Sequence, residues 1–167
     1  KDHGILVVSG LAYGIDVYAH KLSLNAGLET VGVVAHGLDR IYPQAHASVA
    51  TKMKTQGGIL TDFISGTNPD RENFPKRNRI VAGMCDALIV IESKKEGGSL
   101  ITAEIANSYS KDVFAFPGKT NDEFSGGCNG LIKRHKAALL ESFADVMYIM
   151  GWEKKENSKE KKDKQFV

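Results

Sequence analysis

Residues 4–27, GILVVSGLAYGIDVYAHKLSLNAG, contain the unit that decides the fold. The run GILVVS (4–9) is short and apolar, which is typical of a strand covered on both faces of a parallel sheet. After a glycine-rich loop, apolar residues recur at helical spacing on one face: Ile15, Tyr18, Ala19, Leu22 and Ala26. This spacing predicts an amphipathic helix that packs with that face and ends at Gly27.

The same alternation continues along the chain. Compact apolar runs predict strands at 30–35, 58–60, 87–92 and 112–116, and helical patterns predict helices at 44–56, 75–84 and 99–110. Strand, helix and strand repeated in this order imply right-handed crossovers. The sequence therefore predicts the α/β class, with a doubly wound, mostly parallel sheet and helices on both faces.

Length and composition fit one globular domain. The chain has 167 residues, of which 42% are hydrophobic and 25% are charged. No apolar run approaches the roughly 18 residues of a membrane span, and the first residues lack the pattern of a secretory signal. We therefore expect a soluble, cytoplasmic protein. Because the chain starts without methionine and almost directly enters a strand pattern, we also expect a fragment of a longer protein.

The formal charge of +2 lies in the tail. Residues 153–167, EKKENSKEKKDKQFV, contain six lysines and four acidic residues, so residues 1–152 are close to neutral. We predict one domain at 1–152 and a charged tail or linker at 153–167. In a neutral domain, any site for anions must be a local cluster of cations. Cys85 and Cys128 are far apart in sequence and predict inert core thiols.

Four loops that follow predicted strands contain glycine beside polar residues: SGLAYG (9–14), HGLDRIYP (36–43), KKEGGSLIT (94–102) and PGKTNDEFSGGCNG (117–130). Loops at the carboxyl ends of parallel strands open on one edge of the sheet, where ligands bind. Glycine lets backbone N–H groups approach such a ligand. The alternative for each loop is an ordinary turn, with Ser9 or Ser99 as a helix cap.

The segment FPKRNRIVAG (74–83) places three cations, Lys76, Arg77 and Arg79, in the first turn of a predicted helix. Pro75 predicts the first helical position. A helix start already carries a partial positive charge, so this cluster indicates a bound anion, and Arg matches phosphate oxygens. The alternative is that Arg77 and Arg79 pair with surface carboxylates: Asp62, Asp70 or Glu72.

Several familiar sites are excluded by spacing. PGKT (117–120) resembles the end of a phosphate-binding loop, but Val113 stands where that loop requires glycine. No G-x-G-x-x-G follows a strand, and the five histidines lack metal-ligand spacing. Ser9 is not part of a G-x-S-x-G elbow. The sequence therefore predicts no catalytic dyad, no metal and no cofactor.

Five segments in order resemble the DprA/Smf DNA-processing family: SGLAYGID (9–16), GLDRIYP (37–43), FPKRNRIVAG (74–83), GGSLITAEIA (97–106) and GCNGLI (127–132). The resemblance covers roughly residues 4 to 150. It implies a Rossmann-like domain that binds single-stranded DNA, forms a homodimer and is not an enzyme. It also implies that the protein protects incoming DNA and helps to load RecA recombinase during natural transformation (competence).

The resemblance also implies roles for individual residues. Ser9 and Gly10 would belong to the first loop of the DNA pocket, and Arg77, Asn78 and Arg79 would match the family's R-N-R motif. Gly98 and Ser99 would donate to a phosphate, and Asn129 would help to close the pocket. Relatives often carry a basic residue at position 13, where this chain has Tyr13. The family's preceding strand with a V-G-S-R motif, and its frequent flanking helical and winged-helix domains, are not in this sequence.

A pocket of concave loops favours single strands, because splayed bases enter it and a rigid duplex does not. Tyr13, Tyr42 and Phe74 are candidates for stacking on bases, with core packing as the alternative. The loop ISGTNPDREN (64–73) predicts a mobile rim that carries Arg71. Arg71 and Lys76 complete the predicted phosphate-binding set.

Two other hypotheses belong to different classes. GGSLITAE loosely resembles the P-G-G-x-G-T-x-x-E signature of nucleotide phosphoribohydrolases, in which Glu104 would be the catalytic carboxylate. The fit is poor, because Glu96 replaces the leading proline and the spacing differs by one. A protein-binding scaffold, which would have no affinity for phosphate, is the third hypothesis.

Overall fold

The structure is a computed structural model that describes residues 3–152. The charged tail predicted at 153–167 lies outside the described residues. Helices and parallel strands alternate along the chain, which confirms the predicted α/β class. Within residues 3–152, no helix has both the length and the apolar content needed to cross a membrane.

The strands pair in parallel and form two sheets. The first contains β1 (Val7–Ser9), β2 (Thr30–Val33) and β3 (Gly57–Leu60), and the second contains β4 (Ala87–Val90), β5 (Asp112–Ala115) and β6 (Ala138–Leu139). In both sheets the neighbours in sequence are neighbours in space. The doubly wound sheet is thus divided in two, because no ladder within residues 3–152 joins β1 to β4.

The helices are α1 (Ile15–Ala26), α2 (Ala47–Met53), α3 (Asn73–Met84), α4 (Gly98–Ser108), α5 (Gly126–Lys133) and α6 (Phe143–Met150). The sequence patterns predict α1 to α4 and β1 to β5, and they miss β6, α5 and α6. The reason is that β6 has two residues and α5 and α6 have eight each, too few for a clear periodicity. A 3₁₀ turn at Gln44–His46 takes the first part of the helix predicted at 44–56.

The start of α3 differs from the expected one. The helix begins at Asn73, so Pro75 occupies its third position and not its first. Proline is still tolerated there, because the N–H groups of the first turn have no partner within the helix.

The buried face of α1 also differs from the predicted one. Tyr18 is 61% exposed and Leu22 is 50% exposed, whereas Val17, His20 and Ser23 are buried. The polar residues are buried because they find internal partners: His20 Nδ1 lies 2.7 Å from Thr30 Oγ1, and Ser23 Oγ donates to the Ala19 carbonyl at 2.8 Å. The end of α1 is as predicted, with Gly27 in the left-handed conformation.

Each sheet has its own core. Leu11, Val34 and Met53 belong to the core of the first sheet, and Ala103 and Cys128 to that of the second. Helix α3 packs against α4 and also contacts β1 and β2, so it connects the two halves. Both cysteines are free thiols; Cys128 is buried in the core as predicted, Cys85 is half-buried, and burial raises the pKa of both thiols. The carboxyl ends of β1 and β2 and the start of α3 meet at one edge of the first sheet.

Candidate functional site

A cavity of about 320 Å³ opens where the loops after β1 and β2 meet the start of α3. Gly10, Ala12 and Arg77 line it, together with three aromatic residues: Tyr13, Tyr42 and Phe74. Two segments that are distant in sequence, SGLAYG and FPKRNR, therefore form one site. Of the predicted phosphate-binding residues, Gly10 and Arg77 line this cavity.

Arg77 connects the ends of two strands. Its side chain is buried, with Nη1 donating to the carbonyls of Gly10, at 2.9 Å, and of Val33. Nε donates to Asn78 Oδ1 at 3.1 Å, which also fixes Asn78. Nη2 donates to no group within residues 3–152, and it belongs to the side chain that lines the cavity. Arg77 thus fixes the local fold and keeps one pair of N–H donors without an acceptor among the described residues.

The electrostatic balance of Arg77 involves one carboxylate. Burial lowers the pKa of the Arg77 guanidinium below its ordinary value, and the negative charge of Asp16 acts in the opposite direction. Guanidinium is protonated at any physiological pH, so the cavity holds a permanent positive charge. A buried cation of this kind is stabilised by a second anion, such as a phosphate.

The first loop is arranged differently from what the sequence predicts. The amides of Gly10 and Ala12 donate to Asp16 Oδ2 at 3.1 and 3.3 Å, so a carboxylate of the chain itself takes the donors expected for a ligand. Glycine is required at position 10, because a Cβ there would lie 2.6 Å from both Arg77 Nη2 and Asp16 Oδ2. Ser9 is the last residue of β1 and does not line the cavity.

Two buried histidines, which the sequence patterns did not single out, hold the loops in place. His36 Nε2 accepts from the Tyr42 amide at 3.2 Å, so its proton is on Nδ1, which donates to the Gly37 carbonyl. His46 Nδ1 donates to the Leu11 carbonyl at 2.8 Å, and its ring meets the edge of Tyr13 with centroids 4.8 Å apart. Their position in the sequence could have indicated this role, because both histidines lie within or beside the loop HGLDRIYP.

The aromatic residues lie at the cavity wall and not in the core. Tyr13 is 68% exposed and Tyr42 is 47% exposed, and Phe74 is half-buried. The rings of Tyr42 and Phe74 are tilted, with centroids 6.3 Å apart, and Arg77 Cζ lies 5.9 Å from the Phe74 centroid. The guanidinium thus lies near the Phe74 ring and near backbone carbonyls, a mixed environment that suits a nucleotide.

The other cations of the cluster point elsewhere. Arg79 forms an exposed ion pair with Asp62, one of the carboxylates considered from sequence. Lys76 and Arg71 are exposed, and neither lines the cavity. The three cations of α3 separate because Arg77 faces the first sheet, whereas Lys76 and Arg79 face solvent.

The loop 64–73, predicted to be mobile, is tied to the loop after β2. The Gly66 amide donates to Asp39 Oδ1 at 2.7 Å, and Arg40 Nη1 donates to Asn68 Oδ1 at 2.6 Å. The Gly66 N–H first, and then Arg40, lower the pKa of Asp39 to about 2. These bonds restrain the rim next to Phe74.

The four glycine loops, predicted to open on the same edge of the sheet, line two separate cavities. The loops after β4 and β5 line a second, open cavity of about 460 Å³, where Lys94 and Lys95 lie among acidic residues. Gly98 and Ser99 begin α4, and Asn129 exchanges two hydrogen bonds with Gly118, at 3.0 and 3.1 Å. None of these residues lines the first cavity. The loops of the first cavity follow β1 and β2 of the first sheet, and those of the second cavity follow β4 and β5 of the second sheet.

Glu104 lies on α4, outside the lining of both cavities. Its carboxylate is exposed and pairs with Lys136 Nζ at 2.6 Å. This surface ion pair gives the phosphoribohydrolase hypothesis no geometric support.

Comparisons with known proteins agree on one family. The profile of the family described as DNA recombination-mediator protein A matches residues 1–151. The DNA processing protein DprA of Streptococcus pneumoniae is 41% identical over 146 residues, which are 87% of this chain and 51% of that protein. The chain thus spans about half the length of this curated relative.

Two solved structures are similar to this chain. The X-ray structure of the Streptococcus pneumoniae protein has a TM-score of 0.79 and 41% identity, covering 86% of this chain and 50% of that one. The DNA processing protein A from Helicobacter pylori, whose structure was described for its single-stranded DNA binding mode, has a TM-score of 0.78 and 28% identity. That match covers 87% of this chain and 65% of the other. The predicted Rossmann-like fold class is thereby confirmed.

Proposed function

Because the chain belongs to the DNA recombination-mediator protein A family, we propose that it is a DNA-processing protein and that its first cavity binds single-stranded DNA. One observation carries this proposal. Arg77 is buried with Nη1 and Nε bound to the protein, while Nη2 has no acceptor within residues 3–152 and its side chain lines the cavity.

A phosphate is the ligand that fits this arrangement. The guanidinium is planar and already oriented by backbone carbonyls, so it loses little freedom when it donates to a phosphate oxygen. Tyr42 and Phe74 line the same cavity, with ring centroids 6.3 Å apart, and we assign them to contacts with a base. A phosphate on Arg77 with a base on these rings requires an unpaired, bent strand, which favours single strands over duplex.

The exposed cations extend the proposed path. We assign Lys76, Arg71 and Arg79 to phosphates outside the cavity, where they act by charge more than by fixed geometry. Gly98, Ser99 and Asn129 would meet the strand farther along, next to the second cavity. In this assignment the cavity fixes one nucleotide, and the neighbouring surface adds affinity.

The finer functions come from the family resemblance. We propose that the intact protein protects incoming DNA, assists the loading of RecA recombinase during natural transformation and acts as a cytoplasmic homodimer. These are proposals for the whole protein, since the chain spans about half of its relative DprA. We also propose binding and not catalysis, given that Glu104 is paired at the surface.

A binding measurement tests the proposed function. Fluorescence anisotropy with labelled oligothymidine and with a matched duplex, each at two salt concentrations, should give tighter binding of the single strand. The affinity for the single strand should fall steeply with salt, because bound phosphates release counterions. Equal affinity for both DNAs, or an affinity that does not change with salt, would contradict the proposal.

A further inference from the structure

The loop between β1 and α1 is built around a carboxylate of its own helix. Asp16 Oδ2 accepts the amides of Gly10 and Ala12, on either side of Leu11. Leu11 is fully buried and has a φ of 57°, in the left-handed region that leucine rarely adopts. A left-handed residue within a loop turns neighbouring N–H groups toward one point, which makes a concave site for an anion. Here the anion is Asp16.

The same loop is held from its other side. The Gly10 carbonyl accepts from Arg77, and the Leu11 carbonyl accepts from His46. A non-glycine residue in the left-handed conformation costs on the order of 1–3 kcal/mol and persists only when its surroundings fix it. Asp16 supplies the bonds to the amides, and Arg77 and His46 supply those to the carbonyls.

Asp16 and Arg77 meet across Gly10. Both Asp16 Oδ2 and Arg77 Nη2 lie 2.6 Å from the place that a Gly10 Cβ would take. Any displacement of Gly10 therefore moves the carbonyl to which Arg77 Nη1 donates, and with it the orientation of Nη2. The Asp16 carboxylate thus controls the loop that orients the guanidinium.

We infer that Asp16 is a positioning residue of the DNA site: it holds the loop 9–14 against Arg77 and so directs Nη2 into the cavity. This inference rests on the proposed function for its DNA readout. It has an unusual consequence, because a carboxylate beside a phosphate site weakens DNA binding by charge alone. Position and charge therefore predict different effects for each substitution of Asp16, and opposite effects for Asp16→Ala.

Three variants of Asp16 separate position from charge. Asp16→Asn keeps an oxygen acceptor at the same place and removes the charge. Asp16→Glu keeps the charge and moves the oxygens by one methylene. Asp16→Ala removes both.

The affinity for labelled oligothymidine decides between the two roles. If Asp16 positions the loop, the affinity of Asp16→Asn should stay within about threefold of the wild-type value. The affinities of Asp16→Ala and Asp16→Glu should fall at least about tenfold, roughly the effect of one contact to a charged group. If Asp16 acts only by repelling phosphate, Asp16→Asn and Asp16→Ala should bind more tightly than the wild type, and Asp16→Glu should bind equally well. That second pattern would overturn the inference, and if the Ala variant does not fold, the Asn and Glu variants decide alone.

A second readout is independent of DNA. Hydrogen exchange of the Gly10 and Ala12 amides, measured by NMR, should accelerate in Asp16→Ala and Asp16→Glu and remain slow in Asp16→Asn. The Arg77 Nε–H resonance should shift in the same two variants. If the wild type did not bind oligothymidine, the proposed function would fail. These exchange rates would still test whether Asp16 holds the loop 9–14 in place. Unchanged exchange in Asp16→Ala overturns it.

Discussion

Arg77 Nη1 donates to the main-chain carbonyl of Gly10 at 2.9 Å, across 67 positions of sequence. This bond joins the two segments that line the cavity, the loop after β1 and the first turn of α3. It also gives one side chain two roles, because the atoms that fix the fold and the atom proposed to bind phosphate belong to the same guanidinium. Loss of Arg77 should therefore affect both stability and DNA binding.

We predict that Arg77→Ala lowers the unfolding free energy by about 3 kcal/mol, since it leaves the buried carbonyls of Gly10 and Val33 without their charged donor. It should also abolish the binding of oligothymidine to the cavity. Arg77→Lys keeps the charge but does not reproduce the fork of donors, so it should restore little of either property. Urea denaturation and anisotropy measure the two effects, and a stable Arg77→Ala variant would disprove the structural role.

Substitution of Gly10 tests the close approach at this loop. A Cβ in Gly10→Ala would lie 2.6 Å from Arg77 Nη2 and Asp16 Oδ2, so the guanidinium or the loop must move. We expect DNA affinity to fall by at least about tenfold, the size of one charged hydrogen bond. The control is Gly83→Ala on α3, where the nearest atom would lie 3.8 Å from the added Cβ; Gly83 lines neither cavity, so folding and DNA affinity should both be retained. Wild-type affinity in Gly10→Ala would show that the contact is not required.

Arg79 should contribute to binding without contributing to stability. Its ion pair with Asp62 is exposed, and such pairs contribute roughly 0–1 kcal/mol. Arg79→Ala should leave the urea midpoint nearly unchanged, weaken binding of oligothymidine and lower the magnitude of the salt slope by about 0.7. Asp62→Asn is the matched variant, which frees Arg79 and should strengthen binding. An identical salt slope in wild type and Arg79→Ala would remove Arg79 from the DNA path.

The aromatic wall of the cavity makes a separate prediction. Tyr42→Ala and Phe74→Ala should each weaken single-strand binding by about 1–3 kcal/mol if a base stacks on the ring. Tyr42→Phe should retain binding, because the ring remains. Tyr18→Ala is a control, since Tyr18 is 61% exposed on α1 but does not line the cavity. Anisotropy with oligothymidine measures all four variants, and equal losses for Tyr18 and Tyr42 would argue against stacking.

The buried His20 predicts a pH dependence of stability. Thr30 Oγ1 donates to the Val7 carbonyl, so it accepts from His20 Nδ1–H, and Nε2 is left buried without a partner among the described residues. Burial lowers the pKa of His20 from 6.5 to about 4; the Asp16 charge opposes this shift, and His46 adds to it. The folded state therefore disfavours the protonated imidazole.

The sign follows from proton uptake. Between pH 6.5 and about 4, His20 binds a proton in the unfolded chain but not in the folded chain. The contribution of His20 to the unfolding free energy is therefore complete above pH 6.5. It decreases as the pH falls toward 4, by up to about 3 kcal/mol in total. Urea titrations at several pH values should show this decrease in the wild type and a smaller one in His20→Gln. Parallel curves for the two proteins would exclude His20 as the cause.

The sequence by itself determined the order of the helices and strands from β1 to β5. The apolar runs and helical spacings predict five of the strands and four of the helices, because these patterns report local burial and period. The same local signals indicate that the glycine of the first loop and the cations of FPKRNR belong to a binding site. They also predict a site that includes both segments. Residue order along the five motifs was sufficient to indicate the family, which the matching profile confirms.

Only the tertiary structure decided which groups face each other. Periodicity placed Tyr18 and Leu22 on the packed face of α1, but His20 and Ser23 are buried instead. The partner of His20 is Thr30 on β2, a contact that helical spacing does not reveal, whereas Ser23 bonds to the Ala19 carbonyl of its own helix. In the same way, Arg77 turns toward the sheet and Arg79 toward Asp62. The physical reason is that a hydrogen bond needs donor and acceptor within about 3 Å, a condition set by the folded chain and not by distance along it.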